Sequence, residues 1–203
     1  MINSKSNLAI ALSKLKVFAK PDARLEQYPT DSEVAAETLW SAYMSGDIDG
    51  KIIADLGCGT GILGIGAMML GAKHVTFVDK DYDALLTLKN NLKSLAMKKG
   101  FKIINKGIDE FNNDVDVVIE NPPFGTREKH IDAEFLEVAM QHGKVVYSFH
   151  KTSTADFVIK LASDNNFSLT GRWNFAFPLK QTQKFHEKRI QRIEVSCFRF
   201  EKG

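Results

Sequence analysis

The hydrophobic positions of this chain change their spacing from one segment to the next, and this spacing predicts strands and helices in alternation. Short apolar runs of the strand type are separated by longer amphipathic segments of the helix type. Such alternation implies right-handed crossovers and a mostly parallel sheet with helices on both faces. The predicted strands are Lys51–Leu56, His74–Val78, Phe101–Ile104, Val115–Ile119 and Val145–Phe149, and the predicted helices are Ile62–Leu70, Ala84–Met97, Ala133–His142 and Ala155–Ser163.

The two ends of the chain depart from this alternation. Near the N-terminus, residues 7–18 have helical spacing, and Thr30 with Glu33 has the pattern of a capping box that begins a second helix. Near the C-terminus, Phe167–Pro178 and Ile190–Phe200 are strand-like with no helix between them, so we expect an antiparallel hairpin. The prediction is a seven-stranded α/β sheet in one domain, residues 1–203, with helices in residues 1–49 and the core in residues 50–203.

Composition narrows the class of protein without identifying a partner. The 203 residues carry 27 Lys and Arg against 25 Asp and Glu, and a net charge of +2 does not by itself indicate nucleic-acid binding. The two cysteines, Cys58 and Cys197, lack metal-ligand spacing, and no apolar run has the length of a signal-peptide core or a membrane span. We therefore expect a cytoplasmic protein with free thiols, without a bound metal and without a membrane partner.

A glycine-rich turn follows the first predicted strand. It reads Asp55-Leu56-Gly57-Cys58-Gly59-Thr60-Gly61, and glycines at such a turn let the backbone approach a ligand closely. Asp79 ends the next strand, where a carboxylate can accept both hydroxyls of a ribose. The third glycine comes one position earlier than a dinucleotide fingerprint requires. The spacing favours S-adenosylmethionine over a nicotinamide cofactor; the alternatives are another nucleotide or a plain tight turn.

A second motif, Asn121-Pro122-Pro123-Phe124, follows the fourth predicted strand and therefore lies at the same edge of the sheet. An adenine amino group is a poor nucleophile because its lone pair is delocalised into the ring. Acceptors on a backbone stiffened by two prolines, the side-chain carbonyl of Asn121 and the main-chain carbonyl of Pro122, could redirect that electron density without reorganisation. Phe124 would stack on the extruded base. The alternative is a strand-terminating turn without chemistry.

Five blocks of the sequence resemble the archaeal and eukaryotic methyltransferase-like protein five family, class I methyltransferases that modify small-subunit ribosomal RNA. The resemblance spans nearly the whole chain and implies an archaeal member, a Rossmann-like fold and S-adenosylmethionine-dependent methylation of adenine N6 in RNA. It also implies a heterodimer with a small zinc-binding activator subunit. The blocks are Leu25–Thr30, Ala54–Gly59, Asn121–Thr126, Tyr147–Lys151 and Lys184–His186.

The family's cofactor contacts extend the candidate site. Gln27 and Thr30 would close over the methionine end, so part of residues 1–49 would cover the cofactor. Gly107 and Ile108 stand where relatives tend to place an acid that meets the cofactor adenine, and Asp109 follows. The expected catalytic residues are Asn121, Pro122, Pro123 and Phe124, and the expected cofactor-binding residues are Gln27, Thr30, Asp55, Gly57, Gly59, Thr60, Ile62, Asp79, Gly107, Ile108 and Asn121.

Three other functions share parts of this pattern. A protein glutamine methyltransferase also uses Asn-Pro-Pro followed by an aromatic residue, commonly Tyr. A DNA adenine methyltransferase is a second alternative, although no target-recognition domain is visible, and a catalytically silent cofactor-binding subunit is a third. Phe124-Gly125-Thr126 and the block around Gln27 favour the RNA enzyme over glutamine methylation. A basic segment is either an RNA contact or a solvated loop; it comprises Lys180, Lys184, Phe185, His186, Lys188, Arg189 and Arg192.

Overall fold

One seven-stranded sheet organises the computed structural model, which describes residues 2–18, 27, 29–124, 131–179 and 191–203. The strands are β1 Ile52–Leu56, β2 His74–Asp79, β3 Phe101–Asn105, β4 Val115–Glu120, β5 Gly143–Lys151, β6 Phe167–Leu179 and β7 Gln191–Lys202. Their order across the sheet is β3-β2-β1-β4-β5-β7-β6. β7 lies between β5 and β6 and is antiparallel to both. The predicted parallel sheet with an antiparallel C-terminal pair is confirmed.

Helices cover both faces of the sheet because its central strands β1, β2 and β4 are apolar on both sides. On one face the helices pack with Phe77 and Tyr147 in one core, and on the other face they pack with Val118 and Phe198 in a second core. The first face carries α1 Lys5–Leu12, α2 Ser32–Met44, α3 Ile62–Met69 and α4 Tyr82–Ser94, and the second carries α5 Ile131–His142 and α6 Ala155–Asp164.

Two predictions about the N-terminal helices are wrong in detail. The first helix ends at Leu12 instead of residue 18, and the main chain of Lys16 is held by a side chain of α4 instead. The second helix is capped by Asp31, not Thr30, because the Asp31 carboxylate accepts from the amides of Glu33 and Val34. Thr30 is consequently available to another partner, described below.

The parallel pairing brings the ends of three strands to one edge of the sheet. Leu56 of β1 is in register with Val78 of β2 and with Glu120 of β4. The glycine turn follows Leu56, Asp79 follows Val78, and Asn121 follows Glu120. The two motifs therefore meet at the carboxyl edge, as expected for a doubly wound sheet.

Some sequence predictions fall beyond the part of the chain that the structure describes. Gly125, Thr126 and the basic residues from Lys180 to Arg189 lie outside the described residues, and the side chain of Arg192 does as well. Within the described ranges, no helix is long and apolar enough to cross a membrane. Cys58 and Cys197 are buried free thiols, as predicted.

Candidate active site

The glycine turn leads from β1 into α3 with left-handed backbone. Gly59 has φ of 51° and Gly61 has φ of 90°, backbone angles that residues other than glycine rarely adopt. A Cβ atom on Gly61 would lie 2.3 Å from Cδ1 of Leu88, and one on Gly59 would lie 2.8 Å from Cζ of Phe18. Neighbouring side chains therefore pack closely against the turn, and these two glycines have no room for a side chain.

Asp79 anchors this turn from the neighbouring strand. Its Oδ2 accepts from the amide of Gly59 at 2.7 Å, and its Oδ1 accepts from the amide of Asp81 at 2.8 Å. Burial raises the pKa of this carboxyl, whereas the two amides lower it. The acid at the end of β2 is thus held rigidly beside the turn, with each oxygen retaining a second lone pair for a ligand hydroxyl.

Asp55, at the other end of the turn, has a structural partner. Its Oδ2 accepts from the amide of Gly64 inside α3 at 2.8 Å, which fastens the strand to the helix that follows it. The side chain is buried, and burial raises its pKa to about 7; the amide of Gly64 opposes that effect.

A cavity of about 1000 Å³ opens beside the turn, at the upper end of the volume range of ligand sites in proteins. All eleven residues expected to bind the cofactor line it, although binding itself stays a prediction. Asp109 lines the cavity as well, beside Gly107 and Ile108. An acidic residue is therefore present in the part of the wall where the family resemblance implies a contact with the cofactor adenine.

The Asn-Pro-Pro-Phe motif contributes two residues to this cavity, Asn121 and Pro123. The side-chain nitrogen of Asn121 donates to Oγ1 of Thr30 at 2.9 Å, which orients the carboxamide. Phe124 has an exposed fraction of 7% and packs in the hydrophobic core. Stacking on a base would therefore require this ring to turn out of the core, and its predicted role stays a prediction.

Gln27 also lies at the cavity wall. Its side-chain amide donates to a carboxylate oxygen of Asp81, the residue that caps α4. Gln27 and Thr30 thereby link the segment before α2 to both motifs, through Asp81 on one side and Asn121 on the other. This placement agrees with a segment that closes over a ligand.

A buried network of polar side chains lies next to the Asn-Pro-Pro-Phe motif, on the face of the sheet covered by α5. Ser148 donates to Oε1 of Glu120 at 2.7 Å, and its hydroxyl lies 2.8 Å from Nε2 of His150. Nδ1 of His150 lies 3.5 Å from Asp132, and contact with the imidazole lowers the pKa of Asp132. Burial raises the pKa of Glu120 to about 8, and its Oε2 has no hydrogen-bond partner among the described residues. His150, which lies in the sequence block Tyr147–Lys151, thus connects Ser148 with Asp132.

Several cavity residues were not found from the sequence. Lys16, Phe18 and Phe177 line the cavity although they are distant in sequence from both motifs. Asn91 does not line it but binds two of its walls. The sequence held one signal for Asn91, a polar residue on the apolar face of an amphipathic helix.

The cavity fits S-adenosylmethionine by shape and by polarity. Gly57, Gly59 and Thr60 of the glycine turn line the cavity, Asp79 offers a fixed acceptor for ribose hydroxyls, and the volume accommodates a nucleoside with an amino-acid tail. A metal is not required to hold such a ligand, and the described residues contain no group of three or more His, Cys, Asp or Glu placed to bind one.

Comparison with known proteins agrees with this geometry. Residues 31–145 match the family model of the methyltransferase small domain. An uncharacterised protein of Methanocaldococcus jannaschii is 38% identical, over 98% of this chain and 94% of that protein. The rRNA N(6)-adenosine-methyltransferase METTL5 of Danio rerio is 34% identical, over 95% of this chain and 96% of that protein.

A solved structure shows the same fold at high similarity. A candidate RNA methyltransferase from Pyrococcus horikoshii superimposes with a TM-score of 0.91 and is 45% identical; the match covers 100% of this chain and 99% of that one. The similarity therefore extends over both motifs, the N-terminal helices and the C-terminal strands.

Proposed function

This chain belongs to the methyltransferase small domain family and to the methyltransferase-like protein five family, and from this premise we propose its reaction. It transfers the methyl group of S-adenosylmethionine to N6 of an adenine in RNA. We propose small-subunit ribosomal RNA as the substrate. The observation that carries the proposal is the position of Asn121 in the wall of the same cavity as the glycine turn and Asp79.

The cofactor, when bound, supplies an electrophilic methyl group. The residues proposed to hold it are those of the glycine turn, with Asp79 at the ribose and with Gln27 and Thr30 as part of the cover. Gly107, Ile108 and Asp109 form the wall that we assign to the cofactor adenine.

Asn121 prepares the amine of the target base. Because its side-chain nitrogen donates to Thr30, the carbonyl oxygen is the atom that this carboxamide offers to an amine hydrogen. We assign the main-chain carbonyl of Pro122 as the second acceptor, on a backbone in which φ of both prolines is restricted. Pro122 is buried and does not line the cavity, so this role requires its carbonyl to become accessible when the base binds. Acceptors fixed in advance need no reorganisation as charge develops on the amine, and in-line placement of amine and methyl contributes roughly 7 to 11 kcal/mol.

The proposed role of Asn121 separates chemistry from cofactor binding. Asn121→Ala should reduce methyl transfer to RNA at least a hundredfold, the order of effect of removing one preorganised hydrogen-bonding group. Its affinity for S-adenosylmethionine should change less than threefold. The matched control is Asn112→Ala, which removes an exposed asparagine after β3 and should leave both quantities unchanged.

The measurement is transfer of tritiated methyl to small-subunit ribosomal RNA, beside calorimetric titration with S-adenosylmethionine. Equal loss of transfer and of affinity in Asn121→Ala would contradict the assignment. Label in a release-factor protein instead of RNA would move the reaction to glutamine methylation.

We also propose a partner, a small zinc-binding activator subunit that forms a heterodimer with this chain. β3 supports it: the strand ends the described sheet, pairs with β2 alone among the described strands, and carries half-buried Phe101 and Ile103. Such an edge can accept a further strand. Co-expression with a candidate subunit should give a one-to-one complex with higher turnover; a fully active chain that stays monomeric beside the subunit would refute it.

Two further assignments complete the proposal. Residues 1–203 form one methyltransferase domain, supported by the core on the first face of the sheet, which joins α1 and α2 to β1 and β2. The compartment is the cytoplasm, supported by two buried free thiols. Limited proteolysis that releases a stable fragment beginning near residue 50 would contradict the first, and fractionation of cells tests the second.

A further inference from the structure

Asn91 occupies an unusual position on α4. The apolar face of this helix is made by Leu85, Leu88 and Leu92, which are buried in the core. Asn91 lies on the buried side with them, with an exposed fraction of 1%. A carboxamide in such a place is unfavourable unless its hydrogen bonds are made, and a leucine there would add hydrophobic burial.

The carboxamide of Asn91 makes three hydrogen bonds, all with main-chain atoms. Its Oδ1 accepts from the amide of Lys16 at 2.9 Å, and its Nδ2 donates back to the carbonyl of Lys16 at 2.9 Å. The same Nδ2 donates to the carbonyl of Thr60 at 3.0 Å. Both N–H donors are used and the carbonyl oxygen accepts one hydrogen bond, so three of the four hydrogen bonds open to an asparagine side chain are made.

These three bonds join two walls of the cavity. Thr60 belongs to the glycine turn, and Leu15, Lys16, Val17 and Phe18 form the wall that follows α1. The ring of Phe18 reaches the turn itself, since a Cβ on Gly59 would lie 2.8 Å from its Cζ. The described part of the segment after α1, residues 13–18, is not helical, and two hydrogen bonds to Lys16 fix its main chain to α4.

We propose that Asn91 is a positioning residue for the cofactor site: its carboxamide fastens residues 15–18 to the glycine turn and so builds the wall of the cavity before the cofactor binds. The proposal rests on the proposed function, because it assigns that cavity to S-adenosylmethionine. Without Asn91 the wall must be ordered at the moment of binding, which lowers the affinity for the cofactor.

Asn91→Asp is the sharpest test because it keeps the shape of the side chain. The carboxylate can still accept from the amide of Lys16, but it faces the carbonyls of Lys16 and Thr60 without a hydrogen to donate. Asn90→Asp is the matched control, because it is the same chemical change at the exposed neighbouring position of α4. Leu92→Ala is the second control, since it weakens the same helix but leaves the carboxamide in place.

The first measurement is calorimetric titration of the whole chain with S-adenosylmethionine. We expect Asn91→Asp to weaken binding at least tenfold, which equals about 1.4 kcal/mol, the order of one or two buried hydrogen bonds. Asn90→Asp should stay within twofold of the wild type. Affinity of Asn91→Asp within twofold of the wild type would overturn the proposal, and so would an equal loss of affinity in Leu92→Ala.

The second measurement is amide hydrogen exchange without cofactor, which does not depend on turnover. The amide of Lys16 should be protected in the wild type and in Asn90→Asp, and should exchange at least tenfold faster in Asn91→Asp. If Asn91→Asp does not fold, the wild type alone decides: protection at Lys16 that rises further with S-adenosylmethionine supports the proposal. Exchange of Lys16 at the rate of an unstructured chain overturns it. A wild type that does not bind S-adenosylmethionine contradicts the proposed function instead.

Discussion

The buried carboxyl of Glu120 gives a stability prediction that can be worked from the structure. Glu120 is fully buried, accepts from Ser148, and its pKa rises from 4.5 to about 8 because burial disfavours the charged form; Asp132 and Asp55 add to this effect. Glu120→Gln keeps the shape of the protonated side chain and removes its titration. The comparison of the two proteins therefore isolates the contribution of proton binding at this one group to stability.

The sign follows from proton linkage. The folded protein binds this proton more tightly than the unfolded chain does, so the contribution of Glu120 to stability is complete below pH 4.5 and is lost as the pH rises to about 8. Each pKa unit corresponds to about 1.4 kcal/mol. We therefore expect Glu120→Gln to match the wild type near pH 4.5 and to be more stable by about 3 kcal/mol at pH 7.

Urea unfolding at several pH values between 4.5 and 8 measures this difference, provided that the two proteins unfold with the same dependence on urea. Glu194→Gln on β7 removes one exposed carboxylate and controls for the change in net charge. Two results would refute the reasoning. One is equal stability of Glu120→Gln and the wild type at pH 7 and 8, and the other is a wild type whose stability relative to the variant increases as the pH rises.

Two further predictions concern the ligand and the fold. Asp79→Asn places a donor nitrogen against an amide of Gly59 or Asp81 and should weaken S-adenosylmethionine binding at least tenfold by calorimetry; an unchanged affinity would contradict its assignment to the ribose. Asp47→Ala leaves Arg199 and the hydroxyl of Tyr147 without their shared buried carboxylate and should destabilise the protein by about 2 to 4 kcal/mol, measured as the free energy of unfolding. A loss below 0.5 kcal/mol would show that this network contributes little.

The alternation of short apolar runs with amphipathic segments was sufficient to predict the parallel sheet, because β1, β2, β4 and β5 are buried on both faces. It also placed both motifs at one edge, since all strands that carry them run in the same direction. The pairing of the last two strands with the rest was harder. Strands consecutive in sequence often lie side by side, yet β7 and not β6 pairs with β5.

The burial of the two strands explains that choice. Val195, Ser196, Cys197 and Phe198 of β7 are all buried, as an interior strand requires, whereas β6 alternates between exposed and half-buried residues over most of its described side chains. The sequence alone does not show this difference, because polar residues such as Glu194, Ser196 and Arg199 interrupt the apolar residues of β7 just as polar residues interrupt those of β6.

Other features of the site depend on contacts between distant parts of the chain. The helix predicted for residues 7–18 has the right spacing, but Asn91, 75 positions away from Lys16, competes for the main chain after Leu12. Thr30 and Asp31 are both good N-cap residues, and the structure uses the carboxylate for two amides and leaves the hydroxyl to Asn121. Neither outcome could be predicted from local sequence patterns, because each depends on a residue that is distant in the sequence.

The identity of the methylated product tests the proposed reaction more directly than any variant. Small-subunit ribosomal RNA would be incubated with the purified chain, with and without a candidate activator subunit, and with S-adenosylmethionine carrying a deuterated methyl group. The RNA would then be digested to nucleosides for mass spectrometry. The proposed reaction requires the deuterated methyl group in N6-methyladenosine; deuterium in another nucleoside, or in protein and not in RNA, would contradict it.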